Sequence, residues 1–391
     1  MRSVLNKFLA FKFFDDLMFI YPLYALMFKD NGLSIFEISL IFTFWSLTNL
    51  LMEIPSGILS DKFSRKSLII IGQLLRILGY SSWIFFPNFY GFLLGVILWG
   101  IKSSFTNSSL SALIYDIMKK NNYQNNYINF NGKLKFVSLF AVVLSSLVAD
   151  YIVKYGYKFI LTLSIINLII SIIFIYKIKE EKYFSKEKLS INYIGHLKQG
   201  FKIMIYNTYL FKTIIFSSTV LATIITLDEF FPIFANTLGI EKNSLGLFLA
   251  FISLFQALAN FMASNFKYYT DITYNFLYIT GGLFLILVGF IFKMLPLSMI
   301  ILLFFLFLFS VLDVIFEGKL HTQINSNIRA TILSVKNFIS EIMIMLSCML
   351  YGISEKVSFG ITFIILGLFI VLSGSIFLIT YSKRTEFANK I

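Results

Sequence analysis

Charged side chains within long apolar runs are the residues of this sequence best suited to chemistry. Asp15 and Asp16 lie in the first such run, Lys102 in the fourth and Glu341 in the eleventh. Each lies about ten to fourteen residues from an end of its run, which at about 1.5 Å per helical residue is the depth of a bilayer midplane. A charge at that depth costs roughly 2.5 to 3.5 kcal/mol, so each needs a partner or a water-filled cavity. These four residues are therefore candidates for a central site.

A lysine and two adjacent carboxylates predict one particular arrangement. Pairing of Lys102 with Asp15 or Asp16 would neutralise both charges, and the remaining carboxylate could bind and release a proton. A purely structural ion pair is the alternative, and the residue types alone do not choose between the two.

Three further charges, those of Asp313, Glu317 and Glu53, lie nearer to the ends of their runs. Asp313 and Glu317 are four residues apart, so they share one face of a helix and could line the inner mouth of a cavity. Arg76 lies about one helical turn deeper than Glu53, within reach of a long side chain. We predict that Glu53 and Arg76 form a structural pair.

The composition is that of a membrane protein. Hydrophobic residues make up 58% of the 391 residues, charged residues only 14%, and the mean hydropathy is +0.82; soluble domains contain about a quarter charged residues. Twelve apolar runs are long enough to cross a bilayer as helices. They lie near residues 7–29, 34–59, 66–86, 88–117, 130–153, 158–177, 208–237, 243–266, 272–293, 296–321, 328–353 and 357–381. The sequence predicts an all-α integral membrane protein.

A polar stretch from Lys177 to Lys202 separates the first six runs from the last six. We predict an N-terminal six-helix bundle over 1–178, a cytoplasmic linker over 179–206 and a C-terminal six-helix bundle over 207–391. Lysine and arginine concentrate at the termini, in the linker and in the connections on the same side. The opposite connections carry only Lys29, Lys154, Lys158, Lys242, Lys293 and Lys356. By the positive-inside rule, both termini and the linker are cytoplasmic.

Each half contains an acidic pair followed by a proline and a glycine, at an offset of about 210 residues. The matching residues are Asp15, Asp16, Pro22 and Gly32 in the first half and Asp228, Glu229, Pro232 and Gly239 in the second. The shared order favours a duplicated six-helix unit and thus two pseudo-symmetric bundles. We expect Asp228 and Glu229 to lie towards the outside and to be solvated.

Several classes of site are disfavoured by the residues that are scarce. Cys348 is the single cysteine, and His196 and His321 are the only histidines, so we expect no metal site and no cofactor. No nucleophile–base pair or phosphate loop is present, so we do not expect an enzyme. The net charge of +13 is spread between apolar runs rather than clustered on a solvated domain, so we expect no nucleic-acid partner.

The connection between the second and third runs has the most specific pattern in the chain. It reads GILSDKFSRK, with Gly57, Asp61, Lys62, Ser64, Arg65 and Lys66 in fixed spacing. This resembles the cytoplasmic loop motif of the major facilitator superfamily: a glycine, three residues, Asp, a basic residue, one residue, Gly, Arg and a basic residue. Ser64 replaces the second glycine, so a positive φ is less easily accommodated there.

The resemblance implies twelve helices in two six-helix bundles, with the first, fourth, seventh and tenth helices lining a central cavity. It also implies a conformational latch formed by the loop. Gly57 would allow close approach of a neighbouring helix, and Asp61 would face the N-terminal end of the eleventh helix. Lys62, Arg65 and Lys66 complete the latch, although cations that only set the membrane orientation would have the same pattern.

The resemblance implies a monomeric secondary transporter of a small molecule in the bacterial cytoplasmic membrane. The segments 111–116 and 329–334 resemble stretches of drug-efflux members. We expect proton-coupled efflux of a small amphipathic compound, with Asp15 or Asp16 as the coupling acid and Lys102 as its partner. The fifth run lacks the glycine-proline motif of many drug/proton antiporters. Import of a small polar solute, such as a sugar or an amino acid, and a non-transporting membrane sensor are the alternatives.

Overall fold

The computed structural model describes residues 2–180, 193–266, 269–323 and 326–388, which form helices and no strands. The helices of the first half are α1 Arg2–Asp16, α2 Tyr24–Asp30, α3 Ile35–Lys62, α4 Arg65–Phe85, α5 Phe89–Lys120, α6 Tyr127–Ile152 and α7 Tyr157–Tyr176. Those that follow are α8 Tyr193–Tyr206, α9 Thr208–Thr237, α10 Leu245–Met262, α11 Asp271–Ile291, α12 Leu295–Gln323, α13 Ser326–Ser354 and α14 Phe359–Ala388.

The described helices account for the twelve predicted spans. Ten of them are long and apolar enough to cross a membrane. The apolar segment Phe359–Ser375 of α14 adds an eleventh, and α1 with α2 makes one interrupted span. The remaining helix, α8, lies in the predicted linker. The prediction of an all-α membrane protein is confirmed.

The first span is not the continuous helix that the sequence predicts. Helix α1 ends at Asp16 and α2 begins at Tyr24, with turns between them. Pro22 explains part of the interruption, because proline lacks an N–H and disfavours helical geometry in the residue before it. The corresponding Pro232 lies inside the continuous helix α9, so proline alone does not break the chain here.

The chain divides into two compact units. Unit 1 comprises Met1–Ser190 and Ala235–Ala250, and unit 2 comprises Ile191–Phe234 and Phe251–Ile391. These bounds differ from the predicted bundles because residues 235–250 group with unit 1. Contacts within unit 1 hold this segment in place. Lys242 Nζ lies 2.5 Å from Asp30 Oδ2, and the Asp150 carboxylate accepts hydrogen bonds from the N–H groups of Gly246 at 2.6 Å and Leu247 at 2.7 Å.

Glycine pairs allow close helix contacts within each unit. In unit 1, a methyl group on Gly79 of α4 would lie 2.9 Å from the carbonyl oxygen of Gly95 of α5. In unit 2, a methyl group on Gly282 of α11 would lie equally close to the carbonyl oxygen of Gly367 of α14. Small residues permit such backbone approach in membrane proteins, where apolar burial does not drive helices together.

We predict that Gly79→Val destabilises unit 1 by about 1 to 3 kcal/mol, because the added carbons overlap α5. Gly132→Val is the matched control, since nothing lies within 4 Å of a Cβ at that helical glycine. The measurement is the melting temperature of both purified variants in the same detergent. Equal melting temperatures would contradict a packing role for Gly79.

Candidate functional site

A buried carboxylate at the end of α1 is the centre of the candidate site. Asp15 is 1% exposed, and its Oδ1 lies 2.7 Å from Lys102 Nζ. Gln73 Nε2 donates to the same oxygen at 3.0 Å, and Arg76 Nη1 lies 3.5 Å from it. Helices α1, α4 and α5 of unit 1 supply these four side chains, which we call the Asp15 cluster. The structure thus places Lys102 against the first of its two predicted partners.

Arg76 is held by three groups of unit 1. Its Nη1 donates to the Asp15 carbonyl at 3.2 Å, and its Nε donates to Tyr80 Oη at 3.0 Å. Its guanidinium carbon lies 4.8 Å from the centre of the Trp99 ring, within cation–π distance. The predicted pairing of Arg76 with Glu53 is not the one that forms. Depth brings both residues within reach, but the end of α1 offers Arg76 a carboxylate and a free carbonyl together.

Helical spacing explains how α4 presents its part of the cluster. Gln73, Arg76 and Tyr80 are three and four residues apart, so they lie on one face of the helix. Gly72 is beside this face, and a Cβ there would lie 3.4 Å from Lys102 Cγ. The absence of a side chain at Gly72 therefore leaves room for the aliphatic stem of Lys102.

Two polar residues of α7 stabilise the interruption between α1 and α2. Asn167 Nδ2 donates to the Leu17 carbonyl at 2.5 Å, and Ser164 Oγ accepts from the Ile20 N–H at 3.3 Å. The buried interruption offers little water to the backbone, and an unsatisfied backbone group in a membrane costs several kcal/mol. These bonds allow α1 to end at the depth where Asp15 meets Lys102.

Asp16 has partners different from those of its neighbour. It pairs with Lys12 of the preceding turn at 2.8 Å, and Ser138 Oγ donates to it at 2.5 Å. Its side chain is 18% exposed. The two adjacent acids therefore separate into a sealed cluster around Asp15 and a local, partly solvated pair at Asp16.

The other predicted acids belong to unit 2. Asp313 is half-buried and Glu317 is exposed on α12, and Glu341 is half-buried on α13. Asp228 of α9 is exposed and accepts a hydrogen bond from Gln256 of α10 at 3.3 Å, whereas Glu229 is half-buried. The structure therefore brings Asp15 and Lys102 together in unit 1 and assigns Asp313, Glu317 and Glu341 to unit 2.

The basic residues of segment 57–66, which we call the signature loop, make contacts within unit 1. Arg65 pairs with Asp116 at the end of α5. Lys66 Nζ donates to two carbonyls near the end of α7, those of Tyr176 at 2.8 Å and Ile178 at 2.9 Å. The loop cations thus join the beginning of α4 to the ends of α5 and α7.

Ser64 begins α4 in an ordinary conformation. Its φ is −59°, and its Oγ accepts from the Ser67 N–H at 3.1 Å as a helix N-cap. The Glu180 carboxylate accepts from the N–H groups of Arg65 at 2.9 Å and Lys66 at 3.1 Å. The positive φ expected of the family's glycine is not needed here, because a serine cap performs the turn.

The remaining latch residues are less engaged. Nothing lies within 4 Å of a Cβ at Gly57, so the close helix approach predicted there is absent at this residue. Lys62 is exposed, and the side chain of Asp61 lies outside the described part of the structure.

Sequence reasoning missed the uncharged members of the site, namely Gln73, Tyr80, Ser164 and Asn167. The sixth span does carry a signal, since Ser164, Asn167 and Ser171 recur three and four residues apart on one buried face. A polar stripe on an otherwise apolar helix indicates backbone or side-chain partners on the next helix. No group of His, Cys, Asp or Glu suited to a metal occurs among the described residues.

A family model of the Major Facilitator Superfamily matches residues 8–348. An uncharacterized transporter of Buchnera aphidicola subsp. Schizaphis graminum is 25% identical over 182 residues, which cover 46% of this chain and 44% of that protein. The chain therefore matches less than half the length of this curated relative.

Two solved structures have the same fold. The nucleoside transporter NupG superposes with a TM-score of 0.80 at 11% identity, covering 96% of this chain and 99% of that one. A D-xylose-proton symporter superposes with a TM-score of 0.72 at 13% identity, covering 95% of each chain. At such identities the likeness concerns the fold alone, and it confirms the predicted architecture.

We predict an asymmetry in how the Asp15 cluster tolerates substitution. Asp15→Leu leaves Lys102 and Arg76 as buried cations without their carboxylate and should cost about 3 to 5 kcal/mol. Lys102→Met should cost less, because Asp15 keeps Arg76. The double variant Asp15→Leu/Lys102→Met should recover part of the loss.

The measurement is unfolding in detergent, followed as a melting temperature for the three variants and the wild type. If Lys102→Met is as damaging as Asp15→Leu, Arg76 does not compensate Asp15 in the way the distances indicate.

Proposed function

This chain belongs to the Major Facilitator Superfamily, and we propose that it is a secondary active transporter that works by alternating access. The family is one of membrane transporters rather than enzymes, as the sequence predicts. The described helices make the chain a multi-pass membrane protein. We further propose that it lies in the bacterial cytoplasmic membrane as a monomer, with both termini in the cytoplasm.

The observation that carries the proposal is the burial of Asp15, Lys102 and Arg76 in one contact network at the interrupted first span. In a membrane transporter, buried ionisable residues mark substrate or ion pathways by default. We propose that Asp15 is the coupling acid and Lys102 its partner. Asp313, Glu317 and Glu341 are proposed as further transport residues within unit 2, and Asp16 is proposed to lie beside the site in unit 1 as a paired acid.

Proton exchange at Asp15 would alter every contact of the cluster. A protonated Asp15 no longer attracts Lys102 as an ion, so the 2.7 Å pair is weakened. Gln73 suits both states: its Nε2 now donates to the carboxylate, and its Oε1 has no partner. A rotated amide would accept from the protonated acid. Gain or loss of a proton thus changes which bonds hold α1 to α4 and α5.

We propose export of a small amphipathic compound as the transport direction. The support is the resemblance of segments 111–116 and 329–334 to efflux members. Import of a small polar solute is the second candidate, favoured by the polar character of the Asp15 cluster. The D-xylose-proton symporter with a similar fold gives this alternative a precedent in fold only.

We propose that the signature loop acts as the latch. The ties of Arg65 to Asp116 and of Lys66 to α7 support a role for the loop in holding the cytoplasmic end of unit 1. Lys62 and Asp61 would supply the remainder of the latch. Gly57 is proposed to belong to the latch only as a residue of the sequence motif, since nothing lies within 4 Å of a Cβ built there.

We predict that Asp15→Asn separates proton coupling from substrate exchange. Purified protein in proteoliposomes is tested against a panel of small amphipathic and small polar compounds under an imposed pH gradient. Gradient-driven flux of a transported compound should fall to the level of empty liposomes in Asp15→Asn, because asparagine cannot bind the proton. Exchange of labelled for unlabelled compound at equal pH should persist.

Lys154→Gln is the control, since it removes a charge from an exposed position of unit 1. Gradient-driven flux through Asp15→Asn would refute the coupling role. If no compound moves through the wild type, the transporter proposal fails and the sensor alternative gains support. Increased resistance of cells to a transported toxic compound indicates export, and saturable uptake indicates import.

A further inference from the structure

The charges of the Asp15 cluster do not balance. Lys102 and Arg76 are two cations against the single carboxylate of Asp15. The neighbouring pair of Lys12 and Asp16 adds one charge of each sign, so one positive charge remains in excess. The side chains of Lys102 and Arg76 are only 7% and 5% exposed, so bulk water compensates little of it.

Hydrogen-bond donors are in excess as well. Lys102 Nζ carries three N–H groups, and Asp15 is its one acceptor among the described residues. Arg76 uses Nε on Tyr80 and Nη1 on Asp15, whereas Nη2 has no acceptor in the described part of the chain. Gln73 Oε1 is a neutral acceptor without a partner, so what the cluster lacks is negative charge, and an anion supplies that charge together with oxygen acceptors for the spare N–H groups.

Aromatic side chains with accessible surface adjoin the two cations. Trp99 is half-buried beneath the Arg76 guanidinium, and Tyr21, 43% exposed, lies 6.1 Å from the Trp99 ring. The other rings of this region, such as Tyr24 and Trp83, are sealed by their neighbours at 5% and 1% exposure. Only Trp99 and Tyr21 of these four can therefore offer surface to a planar group.

From these observations we infer that the site takes a small organic monoanion carrying a flat ring. Its carboxylate or similar group binds the spare N–H groups of Arg76 and Lys102, and its ring packs on Trp99 and Tyr21. This inference rests on the proposed function, because it names the substrate class of the same site. Such a compound is amphipathic, and its binding would neutralise the excess charge before the site changes its exposure.

Three matched probes test the inference on purified protein in detergent: benzoate, benzamide and benzylammonium. They share one ring and differ in charge. Affinity is obtained from the rise in melting temperature with probe concentration, because a ligand that binds only the folded state stabilises it. Benzoate should stabilise the wild type, and the neutral and cationic probes should bind at least about tenfold more weakly, as expected for loss of a charge-assisted contact.

The variants give opposite signs, which a purely structural role would not. Arg76→Gln and Lys102→Gln should weaken benzoate binding by about 10- to 100-fold. Asp15→Asn should strengthen it, since it removes the internal competitor for both cations, although the same change abolishes gradient-driven flux. Lys154→Gln should leave benzoate affinity unchanged. If Arg76→Gln does not fold, two other results test the inference. One is the sign of the Asp15→Asn effect on benzoate affinity. The other is the benzoate affinity of Arg76→Lys, which keeps the positive charge but loses the paired N–H groups of the guanidinium.

The inference is overturned if benzylammonium binds as well as benzoate, if no anion binds, or if Asp15→Asn weakens benzoate binding. Failure of the proposed function is a separate result. Flux of cationic or neutral compounds that depends on Asp15, without anion binding, would leave the transporter proposal standing and remove the substrate class. Anion binding with the predicted variant pattern, but no flux of any compound, would support the ligand class and refute the transporter proposal.

Discussion

The structure of unit 1 depends on the compensation of one carboxylate in a place that water hardly reaches. Asp15 holds Lys102 of α5 at 2.7 Å and draws Gln73 and Arg76 of α4 towards the same oxygen. An unpaired charge at this depth would destabilise the fold by more than the burial of any single apolar side chain stabilises it. Three helices are therefore tied at one point, and each must place its polar residue at the matching depth.

The interruption of the first span follows from the same constraint. A continuous helix would use the Asp15 carbonyl for an internal hydrogen bond, whereas in the structure that carbonyl accepts from Arg76. Asn167 and Ser164 then satisfy the backbone groups that the break releases. The Asp15 cluster and the polar stripe of α7 thus both satisfy groups at the same break in the first span, as a backbone interruption within a membrane requires.

Much of this architecture could be predicted from the sequence because its causes are local. Spans of about twenty apolar residues identify helices in a membrane, and a lone lysine in such a span needs a carboxylate within reach. A carboxylate of the first span as the partner of Lys102 follows from these two rules, and the structure selects Asp15 rather than Asp16. The interruption at 17–23 could not be predicted in this way, since Pro22 resembles Pro232 in sequence and only the partners on α7 distinguish them.

The other departures have the same origin. Arg76 has Glu53 within range by depth alone, but its choice of Asp15 depends on where α1 ends. Ser64 needs no positive φ, because its hydroxyl and the Glu180 carboxylate cap α4 together. In each case a residue distant in sequence decides the outcome.

The placement of the aromatic residues has an optical consequence. The chain has three tryptophans, Trp45, Trp83 and Trp99, and all three belong to unit 1. Trp99 lies under the Arg76 guanidinium, and Trp83 is 5.2 Å from the Tyr80 ring that binds the same arginine. Indole emission responds to nearby charge, so the tryptophan fluorescence of the unlabelled protein arises from unit 1 and is sensitive to the Asp15 cluster. The native chain thus carries its own spectroscopic reporter for the charged centre.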